Sequence, residues 1–161
     1  MKRIALPLAL VCLLGILAAW WFSDTQVLKR RTQSLLTTLT MDAGTGKASR
    51  HLGAYSLNAI LAPTVELATP TISEANGTFE RTELESAYSW LCDQAKQTRF
   101  EVLDFRSIKI TGTQATSNVT LTGLVELPTY RPADGTYDVV FDWQKGENGW
   151  RLTRARWDKA H

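Results

Sequence analysis

Histidine and cysteine are scarce. His51 and His161 are the only histidines in 161 residues, and Cys12 and Cys92 the only cysteines. Two histidines so far apart in sequence argue against a multi-histidine metal site, and no metal or other cofactor is expected. Cys12 lies in an apolar N-terminal run and Cys92 in an expected helix, so disulfides do not staple the fold; an oxidising compartment stays open. A surplus of one charge is missing as well. Lys2 and Arg3 account for the whole formal excess of +2, and from residue 24 onward the remaining 16 basic residues meet 16 acidic ones. A neutral domain lacks the broad positive field that draws polyanions, which disfavours a nucleic-acid partner. There are no internal repeats or low-complexity tracts, and the length beyond the N-terminal run suits one domain with one core.

One long uncharged run is present. Residues 4–22, IALPLALVCLLGILAAWWF, follow a short MKR. The run is close to the ~20 residues of a membrane-spanning helix and longer than the ~7–15 of a signal-peptide core. Trp20, Trp21 and Phe22 close it with aromatic rings of the kind that favour the headgroup zone. A signal-peptidase site fits badly, because Leu17 or Ile16 stands at −3 for cleavage after Ala19 or Ala18. A lipoprotein box fails at Val11, just before Cys12. Residues 1–23 are therefore expected to be a retained transmembrane anchor, with the membrane as a partner through 4–22, and residues 24–161 a soluble domain. Lys2 and Arg3 favour a cytoplasmic N-terminus, while Lys29, Arg30 and Arg31 argue the other way. The short tail decides for a single-pass inner-membrane protein with its C-terminal domain periplasmic. Lys29–Arg31 is read as a solvated helix face touching headgroups rather than a ligand site.

Beyond the anchor, Leu28, Leu35, Leu36 and Leu39 recur at helical spacing and predict a helix over about 24–41. A second is expected over 47–61, with Ala48, Leu52, Tyr55 and Ala59 on one face. Gly53 inside it costs ~1 kcal/mol relative to alanine, which close packing against a neighbour would explain. Two short strands, TVELAT and TISEA, and an Asn76-Gly77 turn follow. Thr82 and Glu85 read as a capping box for a third helix, whose Leu84, Ala87, Tyr88, Leu91 and Ala95 share a face up to about residue 97. The last third alternates apolar with polar over 99–110, 115–127, 136–145 and 149–159, with turns at 111–114 and 146–149. Helices followed by four long antiparallel strands describe an α+β domain whose sheet curls around a helix.

That order of elements, with the tail FDWQKGENGWRLTRARW, resembles the nuclear transport factor 2-like superfamily, the cystatin-like or ketosteroid isomerase-like cone. The resemblance spans roughly residues 24–159. It implies a curved, mainly antiparallel sheet and three helices enclosing a pocket. Dimers across the outer sheet face are common in that superfamily, so a homodimer through the sheet is one expected partner arrangement, and another protein a second. Members include isomerases and cyclases, transport adaptors and membrane-anchored assembly proteins, so fold alone does not decide function.

Two readings stay open. One is a non-catalytic, membrane-tethered binding or assembly module outside the cell membrane, with room for a small apolar ligand. The other is a cone enzyme (an isomerase, dehydratase or cyclase) acting on a small hydrophobic molecule. Such an enzyme needs a carboxylate base and donors for a developing enolate. Glu66 is the positional candidate for the base, and Tyr55 and Tyr88 are the candidate donors. Asp104 is expected on the same strand face as Phe100, Val102 and Ile108. His51, one turn before Tyr55, is placed to share a hydrogen bond with it. The plainer reading of each is a core or surface residue. Trp90, Trp143, Trp150 and Trp157 have two readings, the lining of an aromatic cavity or the filling of the core and a dimer seam, and core is the favoured one. The loop PTYRPADG (128–135) projects Tyr130 and Arg131, a pair suited to binding a partner. Arg151, Arg154 and Arg156 are expected to pair with Asp138 and Asp142 across strands.

Overall fold

Alternation in the last third of the chain produces the four long strands it predicts. The computed structural model describes residues 14, 17, 19–69 and 75–160. Its elements are α1 (Asp24–Leu39), α2 (Lys47–His51), α3 (Gly53–Ile60), β1 (Leu61–Ala68), β2 (Gly77–Glu80), α4 (Arg81–Gln94), β3 (Gln97–Thr111), β4 (Gln114–Glu126), β5 (Ala133–Gly146) and β6 (Gly149–Lys159). The strands form one sheet in the order β2-β1-β6-β5-β4-β3, in which only β1 and β6 are parallel neighbours. Two tight turns set the register of the long hairpins. Gly112 at φ 60° opens the turn between β3 and β4, and Gly149 at φ 86° closes the one between β5 and β6. Both angles lie where residues with a Cβ are strained.

The period of two puts Val119 and Leu121 of β4, Val139, Phe141 and Trp143 of β5, and Trp150 and Leu152 of β6 on one buried face, and a bulge at Thr153 returns Ala155 to it. Leu28, Leu35 and Leu36 of α1 and Tyr88 and Cys92 of α4 cover that face. The Trp143 indole is satisfied inside by the Ser117 hydroxyl at 3.0 Å. Gly53 also behaves as expected: a Cβ there would lie 2.1 Å from the Tyr88 hydroxyl.

Several expectations need correction. The second helix is broken at Leu52 into α2 and α3. The restarted helix buries Leu57 and Ile60, so Leu52 and Tyr55 turn outward, Tyr55 being 80% exposed. The capping box is made by Glu80 and Glu83 rather than Thr82 and Glu85: the Glu80 amide donates to the Glu83 carboxylate at 2.7 Å. Strand β2 stays paired as far as Glu80, opposite Thr64, which forces the helix to start immediately after it. Glu85 instead accepts from the Asn58 amide. The expected strand at TISEA falls mostly outside the described residues. So does most of 4–22; among the described residues no helix is long and apolar enough to cross a membrane.

Two charged side chains tie elements together. Asp24, the first residue of α1, accepts from Lys145 at 2.8 Å and 3.0 Å and from the Trp150 indole at 2.9 Å, fastening the helix start to the β5–β6 hairpin. Those hydrogen bonds, Lys145 first and Trp150 second, hold the Asp24 carboxyl below its ordinary range. A lowered folded-state value stabilises above the unfolded carboxyl's range, about pH 4, and that contribution disappears as pH falls through the lowered value. Acidification below about pH 4 is therefore expected to loosen the start of α1 before the core opens, read as faster hydrogen exchange at the Val27 and Leu28 amides. Asp24→Asn should remove this acid-dependent step; an unchanged profile in the variant would contradict the assignment.

Arg50 is the second tie. It is 8% exposed. Its guanidinium donates to the Ala95 and Cys92 carbonyls at 2.7 and 3.4 Å, and to those of Asp42 and Lys96 at 2.8 and 3.0 Å. Cys92 and Ala95 lie at the C-terminal end of α4, where carbonyls lack helical partners and a cation is favourable.

Candidate functional site

A cavity of about 370 Å³ opens between the helices and the concave face of the sheet. Leu35 and Leu39 of α1, Val65 and Leu67 of β1, and Phe141 and Trp157 form its wall, and Leu84, Ala87 and Trp90 of α4 flank it. The heptad-like spacing in α1 and the alternation in β1 and β6 put these hydrocarbon groups on converging faces. Trp157 is held edge-on by Phe100 and by Tyr137, each at 5.9 Å between ring centroids. Trp143 and Trp150 are core, as expected, but Trp90 is 55% exposed. The volume lies in the range of small-molecule sites.

Of the candidate catalytic and partner-binding residues, Tyr88 alone reaches this cavity, beside Trp90 and Trp157. Its hydroxyl, however, is directed at the backbone, donating to the carbonyls of Arg50 at 2.8 Å and Thr38 at 3.1 Å. Burial, reinforced by Cys92, raises the phenol far above its ordinary range. It is a neutral, occupied group that offers no proton to a ligand.

The other candidates lie elsewhere. Glu66 alternates with Val65 and Leu67, so it emerges on the convex side of the sheet, where its carboxylate meets Arg154 at 2.7 Å. Asp104 is exposed rather than inward. A β-bulge at Leu103 shifts the register between Val102 and Asp104 and inverts the alternation, so Phe105 packs on the core in its place. His51 faces Asp93 at 3.3 Å, not Tyr55, because the helix break at Leu52 separates the two. Tyr130 is 69% exposed, and Arg131 is exposed beside it on the β4–β5 loop. Of the cross-strand pairs, Arg154 meets Asp142 at 3.7 Å. Asp138 pairs with Arg106 of β3 at 3.0 Å, and Arg151 turns to the backbone of Asn58 and Leu61.

Solved structures share this arrangement of elements. A protein from Salmonella enterica serovar Typhimurium, assigned to the nuclear transport factor 2-like superfamily, superposes with a TM-score of 0.65 at 10% identity, over 86% of this chain and 92% of its own. A Caulobacter vibrioides protein with a cystatin-like fold gives 0.64 at 13%, over 86% and 90%. The fold is the nuclear transport factor 2-like cone. A Streptomyces avermitilis protein, described as a dehydratase of the nuclear transport factor 2-like family, gives 0.62 at 12%, over 86% and 97%. No protein-family model matches the chain, and no curated protein matches it.

Sequence reasoning missed Arg50 and Asp24 as structural ties and placed no residue of α1 in the cavity. The Arg50 acceptors on and just after α4 lie 42–46 residues away, and Lys145 lies 121 residues from Asp24. Local periodicity carries no signal for either. The Leu35–Leu39 stripe was visible, but a stripe over a cavity reads the same as one over a filled core.

Proposed function

We propose that this chain is a membrane-tethered, extracytoplasmic binding module whose cone takes up a small, uncharged apolar molecule. The observation that carries the reading is the wall of the cavity: overwhelmingly apolar, without a charged side chain, and with its Tyr88 hydroxyl already committed to backbone carbonyls. Such a site gains affinity by removing apolar surface from water and offers little to a charged group. An enzyme of this fold would place a carboxylate inside the cone, and Glu66 and Asp104 face away from it; binding is therefore favoured over catalysis. The tether is argued from residues 4–22, and Tyr130 and Arg131 are the proposed contacts for a protein partner.

The neutral fluorophore N-phenyl-1-naphthylamine is the probe of choice for the cone. It is expected to bind the full-length protein in detergent with saturable fluorescence enhancement. Ala87→Phe, which fills the mouth from α4 without touching the core, should weaken binding about tenfold, or ~1.4 kcal/mol. Saturable binding that is indifferent to Ala87→Phe would remove the cone as the site. For the tether, the chain should stay with membranes through an alkaline carbonate wash; recovery in the wash of a product starting near Ser23 would overturn it.

A further inference from the structure

A second hollow, of about 390 Å³, lies between α1 and α3. Arg30, Arg31 and Ser34 line it from α1 and Ser56 from α3, over an apolar floor that includes Val27 and Ile60. Ser34 is four residues from Arg30 and three from Arg31, so the three side chains occupy one flank of the helix. No carboxylate lines the hollow among the described residues. The basic run Lys29–Arg31 is thus divided by the fold: Lys29 lies over the Phe105 ring, while the two arginines turn into the gap.

The two guanidiniums are held in place without being neutralised. Arg30 stacks on Trp21 at 4.5 Å and donates to its carbonyl at 2.9 Å. Arg31 donates to the Ala59 carbonyl at 2.7 Å. Arg151 arrives at the same end of α3, donating to the Asn58 and Leu61 carbonyls. None of these three arginines has a carboxylate partner among the described residues, in a domain whose total charges balance. Burial first, then the positive charge of Arg151, hold Arg31 below its ordinary range. The Ser34 and Ser56 hydroxyls are exposed and make no side-chain hydrogen bond to another described residue.

We propose that this hollow binds a phosphate group, with the free N–H groups of Arg30 and Arg31 and the hydroxyls of Ser34 and Ser56 as donors. Planar guanidiniums match phosphate oxygens in geometry and charge, and an anion there offsets the repulsion between Arg31 and Arg151. The site adjoins Trp20–Phe22, where the apolar run meets the domain. The phosphate therefore comes from an anionic lipid headgroup or from solution. This inference stands apart from the cone reading, since an empty cone leaves it intact.

The test uses the full-length chain with ¹⁵N-labelled arginine, in nanodiscs, following the Nε–H resonances of Arg30 and Arg31. One arm titrates inorganic phosphate into phosphatidylcholine discs, where choline offsets each lipid phosphate. The other arm raises the share of phosphatidylglycerol without added phosphate. A saturable shift in either arm supports the site: in the second alone it assigns a lipid headgroup, and in the first it assigns phosphate itself. Arg30→Gln with Arg31→Gln should weaken the response about tenfold or more as assessed by the Arg151 resonance. Arg106→Gln on the far side of the sheet should leave it unchanged. Ser56→Asp keeps both arginines and should abolish the response by placing a carboxylate in the hollow. Absence of a saturable shift in both arms, or an Arg151 response that survives all three substitutions at the hollow, overturns the proposal.

Discussion

Arg50→Met is expected to destabilise the domain by about 3 kcal/mol or more, at the upper end of what single substitutions cost. Methionine matches much of the side chain's length and apolar stem, so the loss reports the guanidinium. In its absence the carbonyls of Cys92, Ala95, Asp42 and Lys96 lose a charged donor in a site that is largely closed to water. Hydrogen bonds to charged groups are worth ~1.5–3 kcal/mol each, and an unsatisfied buried acceptor costs ~1–3 kcal/mol, though the terms do not add simply. Arg50→Lys should recover only part of the loss, because one ammonium cannot span acceptors arranged for a planar fork. Urea unfolding of the full-length protein in detergent reads both variants. A change below about 1 kcal/mol for Arg50→Met would show that water replaces the guanidinium freely.

Gly53→Ala carries the second large effect, and its sign runs against propensity. Alanine is favoured over glycine by up to ~1 kcal/mol in a helix interior, and by less at Gly53, the first residue of α3. Here the added methyl would meet the Tyr88 hydroxyl at 2.1 Å, its ring carbon at 2.8 Å and the Thr38 methyl at 3.0 Å. Tyr88 cannot swing aside cheaply, because it is 5% exposed and its hydroxyl holds two carbonyls. Overpacking of this kind costs ~1–3 kcal/mol, so net destabilisation is expected. Tyr88→Phe removes the nearest atom and should reduce the cost of Gly53→Ala, giving a measurable coupling in a double-mutant cycle. Strict additivity of the two substitutions would place the strain elsewhere.

Much of the sheet was legible because its cause is local. Strands β3 to β6 follow from alternation, and their hairpins from glycines at positions that need positive φ. What could not be read depends on distant partners. Asp104 was misplaced because one extra residue at Leu103 reverses inside and outside without changing composition. The break at Leu52 was hidden by competing apolar positions, Leu52 and Tyr55 against Leu57 and Ile60, and only packing chooses between them. Glu66 illustrates the limit for the site: its place on β1 was right, yet the direction of its side chain depends on which face that strand turns to the helices.

The place of β6 in the sheet has a consequence for how the domain comes into being. This strand joins β2-β1 on one side to β5-β4-β3 on the other, yet it is synthesised after all of them. Until residues 149–159 arrive, β1 and β5 each present an open edge of unpaired amides and carbonyls, and the two parts of the sheet are linked only through the helices and the Met41–Thr98 bridge. Such edges invite pairing with other chains. The sheet thus becomes continuous only when its C-terminal strand zips its two parts together, and until then the edge of β5 is the one most open to a wrong partner.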